Sequence, residues 1–273
     1  MRTSPNIKSI LVGVDFSDYS NLVVREAKQL ATDLKLPLSF VYTYENVNLY
    51  QDGVILDRAR VSEIFEEKVK NQYGVDDKQK IFIKFGLAEK EILNVAHKMK
   101  NPLILVGHKG GHRIARFFIG SVAEKLAITT PYPLWIHRGE KVLRPKKILV
   151  PSDLTSRSEK TIGALKAIKG PLESDLEIYH VLNEPMPILD YQAWSAVEIA
   201  LRDADDRKIK SFKKKHPALK VVRSRGGVAE SIYQHSKKFD LIAIAPRSDL
   251  KNSFGRVTSK VVRTGNTPVL VIP

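Results

Sequence analysis

The chain has 273 residues, 43% of them hydrophobic and 27% charged, a composition that supports a folded core and excludes disorder as its overall state. It contains no cysteine, which excludes disulfide frameworks, thiolate metal sites and cysteine nucleophiles, and its formal charge of +15 favours anionic partners. The sequence does not begin with a charged-then-apolar leader, and apolar runs such as residues 103–106 are too short to cross a bilayer, so we expect a cytoplasmic protein without membrane association.

The first half of the chain alternates short apolar runs with amphipathic segments. Residues 10–14 (ILVGV) form a nearly continuous apolar run, which is typical of a parallel strand buried on both faces. Ser17 is placed to cap a following helix, whose apolar residues recur at steps of three and four up to residue 34. The same patterns predict strands at 38–42, 80–84, 103–106 and 133–137 and helices at about 56–73 and 87–99. One more helix is predicted to begin at Gly120 and Ser121.

The second half repeats the first. Residues 8–21 (KSILVGVDFSDYSN) return as 146–159 (KKILVPSDLTSRSE), which includes a serine and a glutamate, Ser156 and Glu159, at capping-box spacing. Three further matches follow in the same order: 85–92 with 226–232, 101–111 with 239–249, and 120–137 with 255–273. The duplication predicts two domains, 1–142 and 143–273, with second-half strands at 176–181, 219–223, 241–244 and 268–272 and helices at about 193–214 and 228–238.

The alternation predicts the fold class and the edge of the sheet at which a ligand binds. Strands alternating with helices indicate β-α-β units with right-handed crossovers, so each half is expected to be a five-stranded parallel sheet sandwiched by helices. Ligands of such sheets bind beyond the carboxyl ends of the strands, where the chain order reverses. The first strand ends at Asp15 and the fourth at Gly107. If these two strands are neighbours, a carboxylate and a glycine-rich loop reach one crevice.

The stretch 107–125 (GHKGGHRIARFFIGSVAEK) combines glycines, a lysine and the start of a helix. Glycines allow close backbone approach to a ligand, and the free N–H groups and dipole of a helix N-terminus favour phosphate. The candidate residues are Gly107, Lys109, Gly110, Gly120, Ser121, Val122 and Ala123. Their spacing is neither that of the P-loop nor that of the dinucleotide fingerprint, so taken alone it leaves a phosphate cradle and an ordinary turn both open.

Three features together resemble the universal stress protein family: the strand ending VGVD (12–15), the spacing Gly-x2-Gly-x9-Gly-Ser over 107–121, and the closing PYPLWI (131–136). The resemblance covers essentially the whole chain, twice over. It implies two tandem Rossmann-like domains of the adenine nucleotide alpha-hydrolase-like type, and a stress-response protein acting as a sensor or binding module. In that family the glycine spacing is the ATP-binding signature, so the implied ligand is ATP, with or without Mg²⁺.

The resemblance also assigns roles to single residues. Asp15 would meet the adenosine, Thr43 at the end of the second strand would contact adenine mainly through its backbone, and the seven residues of the glycine stretch would hold ribose and phosphates. The chain departs from the family pattern at Gly13, where many members have proline, and at Lys109, where histidine is common.

The second copy of the glycine stretch has diverged. Its loop is three residues shorter, with Ala245 for Gly107, Ser248 for Gly110 and Arg256 for Ser121. We therefore predict one nucleotide site per chain, in the first domain. Asp153 is kept, but a turn and cap residue is at least as good an interpretation of it as a ligand contact.

Several other activities lack support in the sequence. No Gly-x-Ser-x-Gly elbow is present, and His108 and His112 have no third ligand close by in the sequence, so neither a catalytic residue nor a metal site is predicted. Asp15 and Glu124 are the only acids near the loop, which argues for at most a slow ATPase.

Partner surfaces form the last group of expectations. Residues 207–225 contain nine Lys or Arg and no acid, but few aromatic residues are interleaved to stack bases, so a solvated helix face is favoured over a nucleic-acid surface. The alternative function is a nucleotide-independent scaffold that binds an acidic protein or RNA through the basic second domain. The last strand of each half is apolar on both faces, so an exposed edge there would be a liability. In the family that the chain resembles, this strand typically pairs across a dimer interface, so the duplication implies that the two halves pair as an intramolecular pseudo-dimer. A further homodimer of two chains stays open.

Overall fold

A computed structural model describes residues 7–45, 50–51, 54–55, 57–109, 119–140, 144–182, 191–246 and 255–273. The strands there are β1 (Ser9–Val14), β2 (Leu38–Tyr44), β3 (Tyr50–Gln51), β4 (Val54–Ile55), β5 (Lys80–Phe85), β6 (Pro102–Gly107), β7 (Leu134–His137), β8 (Lys147–Pro151), β9 (Asp175–Leu182), β10 (Lys220–Arg225), β11 (Leu241–Ile244) and β12 (Val269–Val271). The helices are α1 (Asp18–Leu34), α2 (Arg58–Tyr73), α3 (Ala88–His97), α4 (Ser121–Thr129), α5 (Ser156–Leu172), α6 (Tyr191–Lys215), α7 (Val228–Ser236) and α8 (Arg256–Arg263).

Ten strands form one sheet in the order β10-β9-β8-β11-β12-β7-β6-β1-β2-β5. Within each half all neighbouring strands are parallel, as the alternation of strands and helices predicts. The two halves meet where β12 pairs antiparallel with β7, with Leu270 opposite Trp135. This pairing closes both apolar edge strands, because each supplies the hydrogen-bond partners that the other lacks. The short β3–β4 pair, which the sequence did not predict, lies apart from this sheet.

The core forms two layers, one on each face of the sheet. On one face α1, α2, α5 and α6 bury residues such as Leu30, Leu165 and Phe212 against β1 and β8. On the other face α3, α4, α7 and α8 bury residues such as Ile92 and Val262. Burial on both faces explains why the central strands are apolar at successive positions rather than alternating with polar residues.

The turns that follow β1 and β8 are built alike. Phe16 and Leu154 both adopt the left-handed backbone region, with φ of 62° and 58°, which is uncommon for residues with a side chain. Ser17 caps α1 as predicted, its side chain accepting a hydrogen bond from the Ser20 amide. The predicted capping box of the second half is wrong, because Ser156 is already the first residue of α5 and Glu159 instead forms an ion pair with Lys215 at 3.0 Å.

Candidate functional site

A crevice opens at the carboxyl ends of β1, β2 and β6. β1 lies between β2 and β6, parallel to both, so the chain order reverses at β1. This arrangement meets the condition set by the sequence, that the first and fourth long strands be neighbours. A cavity of about 520 Å³ occupies the crevice, with the N-terminus of α4 as one of its walls. The position is the one at which open α/β sheets usually bind ligands.

Eight of the nine residues predicted from the sequence line this one cavity: Asp15, Thr43, Gly107, Lys109, Gly120, Ser121, Val122 and Ala123. Gly110, the ninth, lies outside the described residues, as does His112. The eight residues come from three strand ends and one helix start, so local sequence alone does not bring them together.

Asp15 follows β1 and organises the turn at the mouth of the cavity. Its Oδ1 accepts hydrogen bonds from the Ser17 amide at 3.1 Å and from the Ser17 hydroxyl at 2.6 Å. Asp153 does the same in the second half, accepting from the amide and hydroxyl of Thr155 at 3.1 and 2.6 Å. The turn role therefore applies to both aspartates, and it orients the carboxylate of Asp15 toward the edge of the cavity in the first half.

Gly107 ends β6 at a point where a side chain does not fit. A Cβ at this position would lie 3.1 Å from the Lys109 carbonyl oxygen and 3.1 Å from two ring carbons of Tyr19. Contacts that short force the neighbouring atoms to move, and the Lys109 carbonyl oxygen belongs to the backbone, so it cannot move aside as a flexible side chain could. The glycine therefore allows the chain to turn from β6 into the loop directly against α1.

The start of α4 presents backbone donors to the cavity. Gly120 is the N-cap residue and, as a glycine, has no side chain to cap the helix. The amide of Gly120 donates to the His108 carbonyl at 2.5 Å, which ties the far end of the loop back to the end of β6. The first amides of the helix, those of Ser121, Val122 and Ala123, are left to interact with whatever occupies the cavity, and the helix dipole favours an anion.

Lys109 supplies the positive charge of the crevice. Its Nζ lies 4.7 Å from the centre of the Tyr19 ring, so the ring holds the ammonium group beside the cavity. The Tyr19 hydroxyl is in turn 2.7 Å from His108 Nδ1 and donates to the His137 carbonyl at 3.2 Å. Burial, together with the Arg138 charge, lowers the pKa of His108 to about 4, so this imidazole is neutral at pH 7. Burial likewise raises the pKa of Tyr19.

The structure adds wall residues that the sequence did not single out. The apolar part of the cavity is formed by Val41, Ile92 and Val106, and Glu45 adds a carboxylate that also accepts from the Ala88 amide at 3.3 Å. Glu45 lies two residues beyond Thr43, so the alternation of the strand could have suggested it. Val41, Ile92 and Val106 look like ordinary core residues, and only the fold shows that they also face the crevice.

Glu124, the second acid that the sequence places near the loop, is engaged elsewhere. Its Oε1 accepts from Arg263 of the second domain, at 2.8 Å from Nε and 2.6 Å from Nη2. A carboxylate held by a guanidinium in this way is a poor metal ligand and a poor base. Among the described residues, moreover, no cluster of three or more histidine or acidic side chains could hold a metal ion.

The fold and this crevice define a tandem Rossmann-like α/β protein whose first domain has an anion-favouring cleft. The family model described as the Universal stress protein family matches residues 6–138 and 145–273, so both domains match it separately. The chain belongs to the universal stress protein family.

Solved structures share the fold over nearly the full length of the chain. A functionally unknown protein from Pseudomonas aeruginosa PAO1 is 16% identical with a TM-score of 0.72, covering 98% of this chain and 93% of its own. A putative universal stress protein from Pseudomonas aeruginosa UCBPP-PA14 is 15% identical with a TM-score of 0.70, covering 98% and 94%. A universal stress protein from Archaeoglobus fulgidus DSM 4304 is 16% identical with a TM-score of 0.65, covering 96% and 97%.

The chain has no significant match among curated proteins. Within the described ranges, no helix is both long enough and apolar enough to span a membrane.

Proposed function

We propose that this stress-response protein is a sensor or binding module that holds ATP in the cavity of its first domain. The observation that carries the proposal is the convergence of eight predicted residues, from four separate segments, on one cavity of about 520 Å³ at the switch point of the sheet. A volume of this order is typical of small-molecule sites.

The distribution of polar and apolar groups suggests how the nucleotide would lie. The phosphates would meet the free amides at the start of α4 and the ammonium of Lys109, which are the only part of the described wall that favours several negative charges. The base would lie on the apolar side, against Val41 and Ile92, with the backbone of Thr43 at its edge. Asp15, at the mouth, is suited to accept from a ribose hydroxyl.

The same wall argues for binding with slow hydrolysis or none. Glu124 is held by Arg263, and Asp15 is held in its turn by Ser17. Glu45 accepts from the Ala88 amide and lies beside Thr43, where the base would bind, so none of these carboxylates is placed as a dedicated base for an attacking water. Mg²⁺, where it accompanies the nucleotide, would be held mainly by the phosphates. The fraction of protein with ATP bound would therefore follow the ATP concentration, without ATP being consumed.

A titration of the purified protein with ATP tests the proposal. We expect a stoichiometry near one per chain, lost in the double variant Gly120→Val with Ser121→Ala, because the valine side chain would crowd the cavity at the start of α4 and the serine hydroxyl would be lost. The matched control changes the equivalent positions of the second domain, Gly255→Val with Arg256→Ala, and should leave ATP binding intact. A stoichiometry near two, or binding that survives the first-domain variant, contradicts a single first-domain site.

The alternative is a nucleotide-independent scaffold that binds an acidic protein or RNA through the basic segment 207–225. Part of that charge is already used, since Lys215 and Lys220 form ion pairs with Glu159 and Glu177 at 3.0 and 2.6 Å. Mass spectrometry of nucleotide released from the protein separates the two functions. Finding no nucleotide, and no rise in Tm on adding ATP, favours the scaffold, because a ligand that binds the native state must stabilise it.

A further inference from the structure

The second domain keeps a cavity in the place equivalent to the first. It lies beyond the carboxyl ends of β8, β9 and β11, beside the N-terminus of α8, and has a volume of about 690 Å³, against about 520 Å³ in the first domain. The equivalent loop of this half has lost the counterparts of Gly107 and Gly110 but keeps Gly255 in the place of Gly120, and Ser248 lies outside the described residues. The described residues around the crevice nevertheless leave it open, even with the larger side chains of Tyr179 and Arg256 in its wall.

The wall of this cavity has changed in chemistry. The repeat aligns Val181 with Thr43 and Tyr179 with Val41, so a hydroxyl has been lost at one position of β9 and an aromatic ring gained at another. Val228, Ile232 and Ile244 continue an apolar surface beside them. One side of the cavity is therefore suited to the apolar body of a ligand.

Tyr179 places a polar atom on that apolar side. The residue is only 5% exposed, and its ring stacks on His235 with centroids 4.1 Å apart and planes within 8°. His235 is itself fixed by Glu177, whose Oε1 lies 2.6 Å from His235 Nε2. The Tyr179 hydroxyl has no hydrogen-bond partner in the part of the chain that the structure describes. Because Tyr179 lines the cavity, its hydroxyl is available to hydrogen-bond a ligand that binds there.

The opposite side of the cavity favours a negative charge. α8 begins at Arg256 after the N-cap residue Gly255, which has no side chain to cap the helix, so its first amides lie at the wall of the cavity as those of α4 do in the first domain. Arg256 takes the place of Ser121 and lies at the wall, exposed and without an ion-pair partner among the described side chains. Asp153 is at the edge, where its Oδ1 is engaged by Thr155. A guanidinium above a helix N-terminus is an arrangement that binds a carboxylate or a similar oxyanion.

We propose that the second domain binds an organic anion with an apolar body, of the class of medium-chain carboxylates, in this cavity. The body packs against Tyr179, Val181 and Ile244, and the oxyanion binds at the start of α8 with Arg256. The Tyr179 hydroxyl hydrogen-bonds a polar atom of the ligand. This site is distinct from the nucleotide site proposed for the first domain, and its ligand is not a triphosphate, because the longer glycine loop that cradles one is missing here.

The test uses the full chain with saturating ATP, so that the first domain is occupied. Fluorescence of 8-anilinonaphthalene-1-sulfonate reports occupancy of the apolar cavity, and octanoate and 1-octanol are added as competitors that differ in the charged head group. We expect octanoate to displace the dye at a concentration about tenfold below that of octanol, because a charge-assisted hydrogen bond is worth about a factor of ten. Arg256→Gln should reduce this ratio to near one, and Tyr179→Phe should weaken binding about threefold.

Lys260→Gln is the matched control. It removes the same charge from the same helix, one turn further along, at a side chain that is 52% exposed and lies near Glu230 rather than at the cavity. The control should keep the wild-type ratio of octanoate to octanol. The proposal is overturned if the wild-type protein binds neither probe, if Arg256→Gln behaves like Lys260→Gln, or if ATP displaces the dye from a variant whose first-domain site is blocked by Gly120→Val with Ser121→Ala.

Discussion

Arg138 joins the two domains through a buried contact, and its removal should lower the stability of the protein. The residue follows β7, is only 3% exposed, and donates to carbonyl oxygens at the end of α8. The acceptors are Thr264 at 2.7 Å, Gly265 at 3.2 Å, Val261 at 3.4 Å and, by a short contact, Val262. Burial lowers its pKa to about 10, which leaves the guanidinium charged at pH 7. A cation is suited to this place because the carboxyl end of a helix carries a partial negative charge.

Replacing Arg138 by Met keeps most of the buried side-chain volume and removes all the guanidinium hydrogen-bond donors. Two of the four acceptors, Val261 and Val262, are in fully buried contacts, and each buried carbonyl left without a donor costs about 1–3 kcal/mol. The carbonyls of Thr264 and Gly265 are only partly buried and can take water instead. We therefore expect Arg138→Met to lower the free energy of unfolding by about 3 kcal/mol.

Urea unfolding followed by Trp fluorescence measures this loss, since Trp135 lies in the same strand as the interface. The matched control is Arg263→Met, which also removes an arginine that crosses between domains but is 55% exposed. An exposed ion pair with Glu124 should be worth about 1 kcal/mol or less. Equal effects of the two variants, or a loss below about 1 kcal/mol for Arg138→Met, would show that the buried contact contributes no more to the free energy of unfolding than an exposed ion pair does.

Three further outcomes are expected. Gly107→Ala should lower the free energy of unfolding by about 1–3 kcal/mol in urea titrations, because its Cβ would meet Tyr19 and the loop backbone at 3.1 Å; an unchanged midpoint would refute the close approach. Because folding lowers the pKa of His108 from 6.5 to about 4, the unfolded chain binds more protons than the folded protein between these pH values. The free energy of unfolding should therefore decrease as the pH is lowered from 6.5 to 4. The fall attributable to His108 is about 2 kcal/mol from pH 7 to pH 5, and it should be missing in His108→Gln, measured by urea unfolding at both pH values. Lys109→Gln should weaken ATP binding about tenfold by calorimetry. Lys98→Gln, which changes the exposed C-cap residue of α3 outside the cavity wall, is the control that should leave binding unchanged.

The sequence predicted the architecture well because the relevant signals are local. A buried parallel strand needs an uninterrupted apolar run such as 10–14, and a covering helix needs apolar steps of three and four, so each can be read within a short window. Four segments repeated in the same order then predicted the same strands and helices for the second half. Predicted strand ends lie within about two residues of those observed, since hydrogen bonding at an element's end depends on its neighbours.

The candidate site was predicted in part. The glycine stretch and Asp15 were predicted because the glycine spacing and a carboxylate directly after an apolar strand can be read from the sequence. Val41 was missed because a valine in a strand is common, and only the sheet order shows that it faces the crevice. Glu45 was missed although its position two residues beyond Thr43 was a usable signal. The engagement of Glu124 by Arg263 was likewise invisible, because the two residues lie 139 positions apart.

By itself the sequence determined the duplication, the alternation of strands and helices, and the loss of the glycine loop from the second half, because these are properties of residue type and spacing. Tertiary structure alone decided the antiparallel direction and register with which the halves join into one ten-stranded sheet, and the burial of Arg138 against the end of α8. It also decided that the described residues of the second half leave a crevice open. The physical reason is that each of these depends on contacts between distant segments. Packing and desolvation at such contacts are set by the three-dimensional neighbours of a residue, which its neighbours in the chain do not reveal.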